Sequence, residues 1–163
     1  MDVRSEDVNS IDSLILALYD SVSFKPRSEP DWKRFRTLFH PEARLVPPRS
    51  KKDSPSLPMA VDAFIEKVRA NFVSEDISNK GFCEFELARR TSAFGRVAQV
   101  FSIYESRFDG GSAPLARGIY SLQLVNELGR WWVLTILWEN ENSLQPIPDE
   151  YLYGNRSVQE GVR

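Results

Sequence analysis

The stretch "GRWWVLTILW", Gly129–Trp138, holds three of the chain's four tryptophans, two of them adjacent. Side chains on a strand alternate between its two faces. As a regular strand, the segment presents Trp131, Val133, Thr135 and Leu137 on one side and Trp132, Leu134, Ile136 and Trp138 on the other. Both sides need a cover, because the second set left in water forms a contiguous apolar patch larger than soluble monomers usually carry. A glycine precedes the run, so it reads as a last strand opening after a tight turn.

Upstream, the same period of two recurs in "FCEFELARRTSAF", "RVAQVFSIYESRF" and "LARGIYSLQLV", separated by Gly95, by "DGG" at 109–111 and by "NELG" at 126–129. These separators are hairpin signals, and the four runs predict an antiparallel meander. With "DGG" at a hairpin tip, Glu105 pairs with Arg117, Ile103 with Ile119, Phe101 with Ser121 and Gln99 with Gln123.

The N-terminal half is helical in period. Ser10 caps a helix of about three turns in which Ile11, Leu14, Ile15 and Leu18 recur. "DWKRFRTLFHP" predicts a short helix that buries Trp32, Phe35, Leu38 and Phe39 and stops at Pro41. "EARLVPP" suits a short edge strand ended by Pro47 and Pro48. Residues 47–58 form a loop or lid, and Pro58 opens a third helix with Val61, Phe64, Ile65, Val68 and Phe72 toward the core. The fold class expected is α+β: three helices packed on one face of a curved, mostly antiparallel sheet of four to six strands. Residues 1–145 are expected to make one domain. Residues 146–163 make a tail, packed over Pro146–Tyr153 and disordered beyond.

Composition narrows the function classes. With 42% apolar residues and a formal charge of −2, the chain is globular and has no field that attracts nucleic acid. The single cysteine, Cys83, reads as a small buried hydrophobe, and no cysteine–histidine spacing suits zinc. The acidic, polar start resembles neither a signal peptide nor an anchor, and no run is apolar enough to span a bilayer. A cytoplasmic protein without nucleic-acid or membrane partners is expected. No phosphate loop, dinucleotide fingerprint or nucleophile elbow is present, so no cofactor is expected.

The order helix, helix, short strand, helix, meander resembles the nuclear transport factor 2-like superfamily. The likeness rests on "WKRFRTLFHPEARLV", on "AFIEKV" and on "LGRWWVL", and spans residues from about 11 to 140. The runs "VAQVFSIYESR", "ARGIYSLQLVNELGRWWVLTILWENE" and "PIPDEYL" look like a bacterial branch of it. The resemblance implies a cone with an apolar pocket between helices and concave sheet, and a convex face that commonly makes a dimer. The superfamily includes SnoaL-like polyketide cyclases, ketosteroid isomerases and scytalone dehydratase, besides non-catalytic binders. Ketosteroid isomerases use a basic carboxylate, a tyrosine and a protonated carboxylic acid, a trio that no motif places here. Scytalone dehydratase uses histidines and tyrosines, and this chain has one histidine.

Candidate site residues follow from side-chain chemistry. His40 titrates near neutrality and is either an acid–base group or a cap on helix carbonyls. Glu105 and Arg117 form either a register-fixing ion pair or an arginine that binds a substrate carboxylate with Glu105 orienting it. Tyr104, Tyr120, Ser102 and Gln99 are either pocket-orienting groups or core and strand residues. Trp32 and Thr135 complete the ligand-binding candidates, with His40, Tyr104 and Glu105 the catalytic ones. Glu84 and Glu86 alternate with apolar residues on the first meander strand, where one is a pocket base or both belong to the wet face of an edge strand. Arg49, Lys51 and Lys52 read as a solvated loop. Two functions fit: a cofactor-free isomerase, dehydratase or cyclase acting on a small hydrophobic molecule, or a non-catalytic dimeric binding module. The expected dimer face is Trp132, Leu134, Ile136 and Trp138. The alternative cover is the tail, through Tyr151, Leu152 and Tyr153.

Overall fold

The computed structural model describes residues 3–49, 55–74 and 76–153. Its elements are α1 (Ser5–Val8), α2 (Ile11–Val22), α3 (Trp32–Leu38), β1 (Phe39–Val46), α4 (Val61–Ser74), α5 (Ile77–Lys80), β2 (Phe82–Phe94), β3 (Val97–Phe108), β4 (Pro114–Glu127), β5 (Arg130–Asn140) and α6 (Asp149–Tyr153). Ser50–Ser54, with Lys51 and Lys52, and the tail beyond Tyr153 lie outside the described residues.

Local chemistry starts the helices where the sequence marks them. Ser10 is extended, its Oγ accepts the Ser13 N–H at 3.1 Å, and Ser13 Oγ accepts the Ser10 N–H at 3.2 Å, which closes a capping box. Asp31 caps α3 through the Arg34 N–H at 2.9 Å. Helix α4 begins at Val61 rather than at Pro58, because Met59 instead makes an antiparallel bridge with Leu45. The one-turn helices α1 and α5 are too short to show a period. Helix α1 is held by Arg34, whose Nε and Nη2 donate to the two carboxylate oxygens of Asp7 at 2.7 and 2.8 Å.

The sheet has the order β1-β5-β4-β3-β2. Strand β1 runs parallel to β5 at one edge, and β2 to β5 form the antiparallel meander. The β3–β4 register is the one that the "DGG" tip predicts: Glu105 faces Arg117 and Gln99 faces Gln123. Helices cover one face. Leu14, Ile15 and Leu18 of α2, Phe35 and Leu38 of α3 and Ile65 of α4 join Val100, Leu122, Leu124, Val133 and Ile136 of the sheet in one buried core.

Strand β5 departs from strict alternation. Gln123 pairs with Thr135 and Leu124 with Val133, so Leu134 is an extra residue in a bulge. The bulge puts Val133 and Ile136 into the same core, with Trp131 and Trp138 packed against it. The expected second face is therefore corrected: Ile136 and Trp138 turn to the helix side. Trp132 lies outside with His40, at 5.8 Å between ring centroids, and Leu134 and Leu137 are exposed at 37% and 45%.

The tail covers part of the outer face. Tyr151 of α6 packs on Phe101 at 6.0 Å and under the Arg90 guanidinium at 4.7 Å, and Ile147 is buried. Ile103, an outward position, is fully buried.

Gly118 is a point of close approach. A β-carbon there collides with the Glu139 carbonyl oxygen and lies 2.6 Å from Tyr104 Cζ. Gly118→Ala is expected to cost about 1–3 kcal/mol by overpacking, read by urea unfolding. A loss below about 0.5 kcal/mol, the level of neutral surface changes, contradicts this packing.

Candidate active site

Register decides which polar groups reach the helix side. Across the concave sheet Glu84 pairs with Ser106, Glu86 with Tyr104, Ser102 with Tyr120, and Tyr120 with Trp138. Strand β2 is an edge strand, as expected, but the side that carries Glu84 and Glu86 is only partly exposed. Helix α2 packs over it: Ser23, just past the end of α2, accepts the Glu84 N–H at 3.0 Å and donates to the Tyr19 carbonyl at 2.9 Å.

Between α2, α3, α4 and the sheet lies a cavity of ≈ 40 Å³ walled by Leu18, Phe35, Phe39, Phe64, Ile136 and Trp138 among others. Its polar lining comes from Glu84 and Tyr120. Tyr120 Oη donates to Glu84 Oε1 at 2.7 Å. Burial pushes the Glu84 carboxyl up to about 7, and the Tyr120 hydrogen bond offsets part of that rise. Burial, and then the Glu84 charge, push the Tyr120 phenol well above its ordinary value, so it stays a protonated donor. The pair thus unites a carboxyl that exchanges its proton near neutrality with a fixed phenolic donor, in apolar walls.

Two neighbours steady this pair. Tyr104 lies against Tyr120 at 4.4 Å between centroids, and its Oη donates to Asn140 Oδ1 at 2.5 Å. On the other side Ser102 Oγ donates to Glu86 Oε1 at 2.5 Å. Its single proton is then used, so the 2.6 Å contact with Tyr19 Oη has the tyrosine as donor. Glu86 has Arg89 Nε at 3.1 Å as counter-charge, with Asp12 beyond it at 2.9 Å. Glu84 has no cation partner among the described residues, and this separates the two glutamates.

The residues singled out by sequence divide into two groups. Tyr120 lines the cavity, and Tyr104 and Ser102 sit beside Tyr120 without reaching the lining. His40 does neither: α3 ends at Leu38, so His40 is the second residue of β1 rather than a helix cap. Its Nδ1 accepts the Glu42 N–H at 3.1 Å, and it is not among the cavity-lining residues although its neighbour Phe39 is. Glu105 faces outward, paired with Arg107 and, at 3.5 Å, with Arg117, which also meets Glu141 at 3.6 Å. Gln99 and Thr135 lie on the outer face. Trp32 is buried against Phe35 at 5.6 Å, outside the cavity lining. The leading group, Glu84, ranked low in sequence because its edge-strand position is ordinarily wet; "Phe-Cys-Glu-Phe-Glu" carried the signal as carboxylates flanked by aromatics.

Among the described residues no three histidine, cysteine, aspartate or glutamate side chains gather as metal ligands, and no helix is long and apolar enough to cross a membrane.

The Glu84 shift has a consequence for stability. The unfolded chain releases this proton near 4.5, the native state near 7, so native stability falls as pH rises through that window and is flat above it. The fall amounts to about 3 kcal/mol from one carboxyl. Glu84→Gln removes it, leaving the variant more stable than the parent at about pH 8 and nearly equal at about pH 4. Unfolding curves that keep the same difference at both pH values contradict the assignment.

No protein-family model and no curated protein matches the sequence. Solved structures do match the fold. An NTF2-like protein of unknown function from Silicibacter pomeroyi is 17% identical, with 80% of this chain and 92% of that one covered, at a TM-score of 0.54. A protein of unknown function with a cystatin-like fold from Nostoc punctiforme is 12% identical, with 88% and 97% covered, at 0.61. The yeast UBP3-associated protein BRE5 is 9% identical, with 86% and 99% covered, at 0.56. The chain has the NTF2-like, cystatin-like α+β fold.

Proposed function

We propose that this chain binds a small hydrophobic carbonyl compound beneath Trp138 and moves a proton on it with Glu84, as a cofactor-free isomerase, dehydratase or cyclase of the SnoaL-like kind. The supporting observation is the cost of Glu84 itself. A carboxylate placed among apolar walls without a cation is destabilising, and a binding shell alone gains nothing from it. With its proton near balance at neutral pH, Glu84 is suited to take a proton from a carbon next to a carbonyl. The Tyr120 hydroxyl proton rests on Glu84 Oε1; once Glu84 has taken the substrate's proton it no longer needs that hydrogen bond, and Tyr120 Oη is released to donate to the oxygen on which charge develops. Tyr104 and Ser102 act as orienting groups in this reading. His40 and Glu105 have no part in it.

At ≈ 40 Å³ the cavity admits a few water molecules, not a ligand of the usual size. A substrate therefore enters by parting Phe64 of α4 from Trp138, which meet edge to face at 5.7 Å. The test is exchange of α-protons of cyclohexanone in heavy water, followed by NMR. Wild-type protein is expected to speed exchange, Glu84→Gln to lose about 10²–10⁴ of that acceleration, and Tyr120→Phe to fall between. The acceleration rises with pH through about 7, because the base is the ionised form. Equal rates for wild type and Glu84→Gln overturn the proposal.

A second reading concerns the outer sheet face. Leu137, exposed at 45%, borders an open cleft of ≈ 360 Å³ that includes Pro47, Phe101 and Ile119, and Leu134 is exposed on the same strand. We infer that a second copy of the chain packs there, sheet to sheet. Light scattering at micromolar concentration is expected to give twice the chain mass, with Leu137→Arg reducing it to one. A monomeric parent contradicts the dimer.

A further inference from the structure

Three cross-strand neighbours form one row of the sheet: Tyr104 of β3 pairs with Gly118 of β4, and Gly118 pairs with Asn140, the last residue of β5. Gly118 has no side chain, and Tyr104 lies across the gap, so close that a β-carbon at Gly118 collides with its hydroxyl. The hydroxyl ends on Asn140 Oδ1 at 2.5 Å. Tyr104 is 3% exposed whereas Asn140 is exposed, so an amide at the end of the sheet holds a buried phenol.

The next row, Ser102, Tyr120 and Trp138, carries the phenol that bonds to Glu84. The Tyr120 ring has three aromatic neighbours: Tyr104 at 4.4 Å between centroids, Tyr19 at 5.9 Å and Trp138 at 6.0 Å. Tyr104 is the nearest of them. A phenol has one proton to donate, and Tyr104 spends its own on Asn140, so it does not compete with Tyr120 for Glu84. Burial, and then the Glu84 charge, hold the Tyr104 phenol above its ordinary value, which keeps that proton in the bond to Asn140.

We propose that Asn140 is a positioning residue for the Glu84–Tyr120 pair, acting through Tyr104: its amide oxygen anchors the Tyr104 hydroxyl, and the anchored ring keeps the Tyr120 ring in place. This role rests on the reading of Glu84 and Tyr120 as the groups that move the substrate's proton. Asn140 itself does not line the cavity. When Tyr120 Oη turns its proton from Glu84 to the substrate oxygen, only the O–H bond has to rotate; a ring free to swing displaces the donor and slows the step.

Exchange of cyclohexanone α-protons in heavy water, measured with Glu84 ionised, tests this role together with the Tyr120 ring signals of ¹³C-labelled protein. Asn140→Leu, which removes the acceptor, is expected to lower kcat about 10- to 100-fold with KM near that of the parent. Asn140→Asp keeps an acceptor oxygen in place and is expected to retain most of the rate. Tyr104→Phe is expected to match Asn140→Leu, and the double variant to lose no more than either alone, because the two residues act as a unit. The Tyr120 ring is expected to flip slowly in the parent, with separate signals for its two edges, and fast in Asn140→Leu, with averaged ones. A loss as large in Asn140→Asp, a double variant that multiplies the single losses, or a Tyr120 ring that flips alike in parent and Asn140→Leu overturns the proposal. A parent that exchanges no faster than Glu84→Gln overturns the Glu84 reading and this role with it, whereas a Glu84-dependent parent matched in rate by Asn140→Leu overturns this role alone.

Discussion

A strand of period two cannot place Val133 and Ile136 on one side, yet both lie in the same core, and the extra residue Leu134 is what permits it. The rest of the interior depends on that bulge. Before it, Val133 packs with β1 through its pairing with Phe39; after it, Trp138 turns inward opposite Tyr120. Trp138 and Phe64 then line the cavity beside Glu84, and burial among such side chains raises the carboxyl's hold on its proton. Backbone register, aromatic packing and candidate chemistry thus form one causal chain.

The polar groups of the concave face are arranged so that two similar glutamates differ. Glu86 meets a serine hydroxyl and a guanidinium, an environment that suits a fixed negative charge. Glu84, two residues away on the same face, meets a phenol and apolar side chains. Position relative to Arg89 decides the difference, and two separated environments for chemically equal groups are a recurrent arrangement in acid–base sites. Tyr104, which packs on Tyr120, needs the missing side chain of Gly118 to fit, so a backbone position outside the cavity contributes to its geometry.

Much of the architecture was legible in the sequence. Ser10 marks the start of α2 through local hydrogen bonding, and "DGG" fixes the β3–β4 register because a hairpin tip leaves little freedom. The NTF2-like resemblance, carried by "LGRWWVL" and its neighbours, agrees with the fold that solved structures share. What escaped were features that depend on distant packing. No glycine or proline announces the bulge at Leu134, so strict alternation puts Ile136 and Trp138 on the outer side, whereas the bulge turns them inward. The dryness of Glu84 depends on α2, some sixty residues earlier, crossing an edge strand. His40 looked like a helix cap because Pro41 stops a helix, whereas the chain had already turned into β1 at Phe39.

The central claim is that Glu84 is a carboxyl poised near neutrality by desolvation. The most direct measurement is its own titration, followed through the side-chain carboxyl ¹³C resonance of labelled protein. A midpoint near 7 is the result that follows from its burial and its Tyr120 hydrogen bond. A midpoint near the ordinary 4.5 would mean that water reaches the carboxylate, and would contradict the account.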